Sequence, residues 1–229
     1  IGEKLDEPSL HLCASHSDCP GFKLKPNALI KTEAGVKLNV APYGGMLMNT
    51  WFDIPLGIAG RVCTNDNGYV KENIFDSEEM FCLIPSVAPH LTRGTDKKSE
   101  PNPQIDLLPL AGLNKDFCLE QYLAAKLGVD KEDVLSFDLY LYPLMEARNW
   151  GSDKELISSH HLDNLECGFV SLEGFINNFN ENNINVYACF DNEEVGSLTR
   201  QGAFSDFLLN SLIRICRSLD IDYYSLTGR

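Results

Sequence analysis

Between Phe22 and Pro143 the chain is cut into short β-type segments by Gly, Asn and Pro, while the stretches on either side alternate strand-like runs with helical spacing. That switch of texture constrains the fold more than any single motif. Ala28 to Val40, Gly57 to Thr64 closing on Asp66-Asn67-Gly68, and Met80 to Ile84 read as β segments. Lys115 to Leu127 fits a short helix stopped by Gly128, and Phe137, Leu139 and Leu141 alternate with Asp138, Tyr140 and Tyr142 as a strand ended by Pro143. Thr92 to Pro103, charged and carrying two prolines, reads as a mobile loop. At the amino end Leu10 to Ser15 reads as a strand. After Gly151, Leu165, Phe169, Leu172, Ile176 and Phe179 mark one amphipathic helix, Val186 to Phe190 a strand, and Phe204, Phe207, Leu208, Leu212, Ile215 and Leu219 a second helix. The expectation is an α/β domain, residues 1–21 and 151–229, interrupted by a β-rich domain at residues 22–150.

Lys and Arg number 19 against 33 Asp and Glu, a net charge of -14. Nucleic acid and anionic membrane are therefore excluded as expected partners. No apolar stretch approaches a membrane span, and Ile1-Gly2-Glu3-Lys4 offers neither an initiator Met nor a signal-peptide core, so the chain is expected to begin inside a longer protein. Eight cysteines form no Cys-x-x-Cys pair and sit mostly in apolar runs. That usage fits free thiols in a reducing, cytoplasmic compartment. His11, Cys13, His16 and Cys19 do not form a zinc knuckle, because in a strand His11 and Cys13 share one face and His16 takes the other.

Three pieces fall at the edges of the α/β elements, where ligands gather in open sheets. They are His16-x-Asp18 after the first strand, Asp163 at a helix start, and Asp191-Asn192-Glu193-Glu194-Val195-Gly196-Ser197 after the later strand. Adjacent carboxylates repel unless a cation or a shared proton offsets them. One can ligate a metal while its neighbour accepts a proton from water. An imidazole needs a carboxylate to orient it, which His-x-Asp provides. Each piece alone is as well explained by a surface turn or a solvated acidic loop. Together they supply the donors of a dinuclear hydrolytic site. A calcium loop fails at Asp191, since the fifth and twelfth positions would be Val195 and Gly202.

The runs His16-Ser17-Asp18-Cys19-Pro20-Gly21-Phe22-Lys23-Leu24-Lys25-Pro26, Thr50-Trp51-Phe52-Asp53-Ile54-Pro55-Leu56-Gly57-Ile58-Ala59-Gly60-Arg61-Val62, His161-Leu162-Asp163-Asn164-Leu165 and Asp191 to Ser197 resemble the M18 metallopeptidases, the aspartyl aminopeptidase and aminopeptidase I family. The resemblance spans nearly the whole chain, in the family's order. It implies a zinc-peptidase-like α/β catalytic domain interrupted by a β-rich oligomerisation domain, with two Zn2+ per active site and a peptide substrate with N-terminal Asp or Glu. It also implies homo-oligomers built from dimers, up to a dodecamer. Carried over, His16 and Glu194 are terminal ligands of different metals, Asp163 bridges both, Glu193 is the general base and Asp18 orients His16. His90 matches a histidine that the oligomerisation domain presents to a neighbouring subunit's active site.

The family carries a further carboxylate and a final histidine ligand beyond this chain's reach. After Ser197 only Asp206, Asp220 and Asp222 remain as acids, and no histidine follows His161. Asp206 falls within the second helical pattern and reads as helix surface. This piece by itself is accordingly expected to be inactive. A non-catalytic oligomerisation scaffold is the alternative reading, and a two-metal peptidase of broader, neutral specificity is a third.

Overall fold

The computed structural model describes Gly2, Leu5 and residues 9–88, 90–91, 101–178 and 180–227. Its elements are β1 (Ser9–His16), β2 (Gly21–Thr32), β3 (Gly35–Tyr43), β4 (Leu56–Asp66), β5 (Tyr69–Asp76), β6 (Leu110–Gly112), α1 (Leu119–Leu127), β7 (Val134–Pro143), β8 (Arg148–Trp150), β9 (Leu156–Ser158), α2 (Leu162–Asn177), β10 (Asn183–Phe190), α3 (Phe207–Ser218) and α4 (Tyr223–Thr227). The chain divides into two units: Ile1–Cys19 with Ile157–Arg229, and Pro20–Leu156. The breaks fall two residues before and six residues after the expected boundaries at 21/22 and 150/151. Both units together make the chain mixed α/β.

The unit formed by Pro20–Leu156 is built on a six-stranded sheet ordered β5-β4-β7-β2-β3-β6, with every pairing antiparallel. Its inward side chains follow the period of two that a half-buried sheet requires. Ile58 and Val62 of β4 and Leu139 and Leu141 of β7 are buried, whereas Asp138 and Tyr140, which alternate with the β7 leucines, are partly exposed. Phe22, Leu24, Leu38, Val40 and Phe75 continue the same core, and α1 closes it with Leu119 and Leu123. Burying one such side chain contributes about 1.5–3 kcal/mol relative to leaving it in water. Asn67 (φ 52°) and Gly68 (φ 88°) make the tight β4–β5 turn that an Asn-Gly pair favours.

Local details depart from the sequence expectation. The segment Ala28 to Val40 is two strands, not one, because the chain turns at Glu33-Ala34 and Gly35 takes φ 137°. Met80 to Ile84 makes only isolated bridges, to Leu56, Phe52 and Leu110. The helix begins at Leu119, not Lys115, and ends as expected at a left-handed Gly128, whose neighbourhood is capped by N–H to Ala124 O. Thr92–Glu100 of the expected loop and Phe179 of the first helical stripe lie outside the described residues.

In the other unit β1 and β10 run parallel over their whole length, Ser9 opposite Asn183 and His16 opposite Phe190. Ile184, Cys216 and Leu226 are its buried centre, with Leu10, Val186, Ile215 and Leu219 packed around them. The apolar stripe of α2 is present but outward, with Leu165, Phe169, Leu172 and Ile176 all exposed. Because the two strands end level, the segments that follow them leave the sheet side by side, joined by Ser17 N–H to Phe190 O at 3.1 Å.

Candidate metal centre

Two sequence-distant corners meet at the carboxyl ends of β1 and β10. After Phe190 the chain passes through Asn192 in a left-handed conformation (φ 58°) into a single turn, Glu193–Val195, closed by Gly196 (φ 99°). Gly196 N–H donates to Glu193 O at 2.9 Å and Ser197 N–H to Asn192 O at 2.8 Å. Thr199 Oγ1 donates to Asn192 Oδ1 at 2.6 Å, which pins the start of the turn. Asn at the left-handed position is a conformational requirement, since Asn adopts positive φ more readily than most residues.

Asp18 ties this turn to the end of β1. Its Oδ1 accepts the backbone N–H of Glu193 and its Oδ2 that of Glu194, each at 3.1 Å. The same Oδ1 lies 3.1 Å from His16 Nδ1. The carboxylate is almost fully buried, its side chain 7% exposed. It thus satisfies two N–H groups of a turn start and one ring nitrogen at once. The other ring nitrogen, His16 Nε2, faces Glu193 Oε2 at 3.4 Å.

His16, Glu193 and Glu194 each offer one ligand atom within 4.8 Å of the others, the one such group of three or more His, Cys, Asp or Glu donors among the described residues. One imidazole nitrogen and two carboxylate oxygens are donors that zinc accepts. Burial, and next the charge of Glu193, hold the Glu194 carboxyl above its usual range; Asp18 and Asp163 act in the same direction, and His16 opposes them. A cation would relieve that repulsion, so the residues present fit a divalent metal.

Asp163 stands at the start of α2 in an extended conformation (φ −81°, ψ 106°), beside His161 in a left-handed one (φ 59°). It lies outside the three-residue donor group, although its charge reaches Glu194. Burial, and then the charge of His160, lower the His161 pKa. His90 belongs to the Pro20–Leu156 unit and is exposed in a turn where Leu91 N–H donates to Ala88 O at 2.9 Å. His11 is engaged by the Asn183 side-chain amide.

One residue at the centre has no counterpart among the sequence candidates. Asn164 is 5% exposed, and its amide contacts both ring nitrogens of His16. A polar residue in the first turn of a helix is an ordinary sight, and the His161 to Leu165 run that contains Asn164 gave it no role of its own.

A family model, that of the aminopeptidase I zinc metalloproteases (M18), matches residues 1–226. The chain belongs to the M18 family. A probable M18 family aminopeptidase 2 from Clostridium novyi is 38% identical over 227 residues, covering 96% of this chain and 52% of the relative. Aspartyl aminopeptidase 4 of Saccharomyces cerevisiae is 32% identical over 238 residues, covering 89% of this chain and 49% of the relative. The solved structure of the S. cerevisiae mApe1 dodecamer superposes with a TM-score of 0.78 at 27% identity, covering 99% of this chain and 54% of that one. The chain thus spans about half the length of the M18 relatives it matches. The mixed α/β fold of the chain is thus one that superposes on a solved M18 aminopeptidase.

Proposed function

We propose that the protein carrying this chain is a two-zinc aminopeptidase that removes N-terminal Asp or Glu from peptides. The observation that carries the reading is Asp18, whose carboxylate fixes the His16 ring on one side and the Glu193-Glu194 backbone on the other. His16 and Glu194 would hold zinc, with Asp163 bridging to a second ion. Bound zinc supplies Lewis-acid polarisation of the scissile carbonyl and makes a water more acidic. Glu193, whose side chain is 52% exposed, is free to take the proton from the attacking water and pass it to the leaving amine. Asp18 keeps the His16 ring turned toward Glu193 and Glu194. His90 serves the site of a second copy, where its imidazole steadies the developing oxyanion.

The homo-oligomeric part of the proposal draws on the dodecameric relative, and the acidic specificity on the relative named aspartyl aminopeptidase. We place the protein in the cytoplasm: all eight cysteines are free, which suits a reducing compartment. Among the described residues no helix is long and apolar enough to cross a membrane.

Hydrolysis of Asp-, Glu- and Leu-arylamides by the full-length protein tests the reading. Faster turnover of the acidic pair supports it, a preference for Leu replaces it with a neutral-specific peptidase, and no hydrolysis by zinc-loaded protein leaves the oligomerisation scaffold. Glu193→Gln is expected to abolish turnover with zinc content retained, and Asp163→Asn to lose zinc; retained full occupancy in the latter sinks the bridging role.

A further inference from the structure

The hydroxyl of Tyr187, on β10, lies where three elements meet. Tyr187 pairs with Cys13 of β1, and Ser15, two residues further on, shares its face of the strand pair. Ser15 Oγ stands 2.6 Å from the Tyr187 hydroxyl, which donates to Gly168 O of α2 at 2.8 Å. Because the single phenolic proton goes to that carbonyl, Ser15 is the donor on the other side. The tie runs from β1 through β10 to α2. Ser171 Oγ stands 3.3 Å from the same phenolic oxygen and donates to Cys167 O at 2.6 Å. The Tyr187 ring also meets Phe175 of α2, with centroids 5.7 Å apart. Among the described residues α2 supplies no side chain to the buried centre of its unit, and its apolar stripe faces outward. Tyr187 reaches the helix where packing from that centre does not.

We propose that Tyr187 is a positioning residue that sets where Asp163 stands relative to His16 and Glu194, a role that rests on the metal-holding reading of Asp163. Each element it ties leads to a donor. β1 ends at His16 next to Ser15, β10 runs on to Glu193 and Glu194, and Asp163 lies in the first turn of α2, ahead of Gly168. Asp163 is outside the three-donor group carried by the strand ends, so the seat of the helix decides how it approaches them. A carboxylate oxygen must come within about 2.0–2.2 Å of each zinc it binds, which leaves little room for the helix to drift. Apolar packing is non-directional and lets a helix slide, whereas a hydrogen bond to a backbone carbonyl fixes its place along the strands. A phenol does this without adding charge beside Asp163 and Glu194. Tyr187 acts through α2 and is not required to touch substrate.

The test uses the full-length protein. Zinc affinity is measured by competition with a chromophoric chelator, and the bridge is read from the electron paramagnetic resonance of the dicobalt form, which responds to coupling of two ions through a shared carboxylate. Tyr187→Phe keeps the ring against Phe175 and removes only the hydroxyl. It is expected to weaken zinc about tenfold, the low end of what groups that orient metal ligands contribute, and to alter the coupling. Ser15→Ala, which cuts the β1 end of the tie, should move both readouts the same way, and Ser15→Thr, which restores a hydroxyl, should return them to wild type. The serine pair decides the matter should Tyr187→Phe fail to fold. A hydroxyl serving stability alone would lower the unfolding midpoint and leave the coupling as it was. That result, with zinc affinity within about twofold of wild type and alongside zinc loss in Asp163→Asn, overturns the inference alone. Wild-type zinc content in Asp163→Asn overturns the metal reading beneath it.

Discussion

The Asp18 carboxylate receives the backbone N–H of Glu193 at 3.1 Å, a contact between residues 175 positions apart. With its second oxygen on Glu194 N–H, it makes one rigid piece of the histidine corner and the glutamate corner. Removing it leaves two N–H groups and a ring nitrogen without their acceptor. Asp18→Ala is therefore expected to destabilise the protein by about 1–3 kcal/mol and to weaken zinc about 10–100-fold. Denaturant titration and chelator competition on the same samples check both numbers, and Asp18→Asn, which keeps one acceptor oxygen, should fall between.

The Pro20–Leu156 unit offers a paired test on its central ladder, where Gly60 of β4 faces Leu139 of β7. Leu139 is fully buried, and Leu139→Ala is expected to cost about 2–5 kcal/mol through lost burial and the cavity left behind. Gly60 takes φ 149°, and a Cβ there would stand 2.1 Å from Asp138 O. Gly60→Ala should cost more than about 1 kcal/mol although it removes nothing. Urea unfolding of both variants decides; a neutral Gly60→Ala would mean that the β4 backbone is not held in this conformation.

Alkaline pH should act on Tyr142, whose hydroxyl donates to Asp76 Oδ1. Burial first, and then that bond, push its pKa up to about 12, against about 10 in an unfolded chain. A pKa raised on folding gives stability that is complete below about pH 10 and is lost as pH climbs toward about 12. Denaturation midpoints across that window should fall more steeply for wild type than for Tyr142→Phe, and parallel curves would remove Tyr142 from the account.

The cysteines differ in reach. Burial pushes the Cys82 thiol up to about 12, whereas Cys167 and Cys189 are exposed. Brief alkylation of the native protein, read by peptide mass spectrometry, should label Cys167 and Cys189 and spare Cys82 until denaturant is added. Equal labelling of all three would contradict the packing of Cys82 against the sheet.

Much of this could be read from the chain because the signals were local. The strand before His16, the strand before Asp191, the Asn67-Gly68 hairpin and the Gly128 helix stop each depend on side chains within a few positions. Gly35 shows the limit of that legibility: a single glycine among β-formers gave no sign that one segment would fold back as two. Lys115 to Cys118 extended the helical spacing, yet Cys118 is extended and the helix starts after it. Asn164 was illegible for a different reason. What makes it special is its burial against a ring 148 positions away, and local pattern carries no trace of such a partner. The exposed stripe of α2 is the reverse case, a clear periodicity whose expected consequence, burial, is not met among the described residues.

The parallel pairing of β1 with β10 also has a bearing on time. Ser9 finds Asn183 only after the whole Pro20–Leu156 unit has been made, so β1 must wait for its partner while that unit is synthesised. Contacts of such long sequence separation close late and slowly, because their loop entropy is met before any pairing rewards it. The donors at the ends of these strands therefore come together later than the local contacts of the Pro20–Leu156 unit. Until β1 and β10 have paired, His16 stays apart from Glu193 and Glu194, and the three-donor group is not assembled.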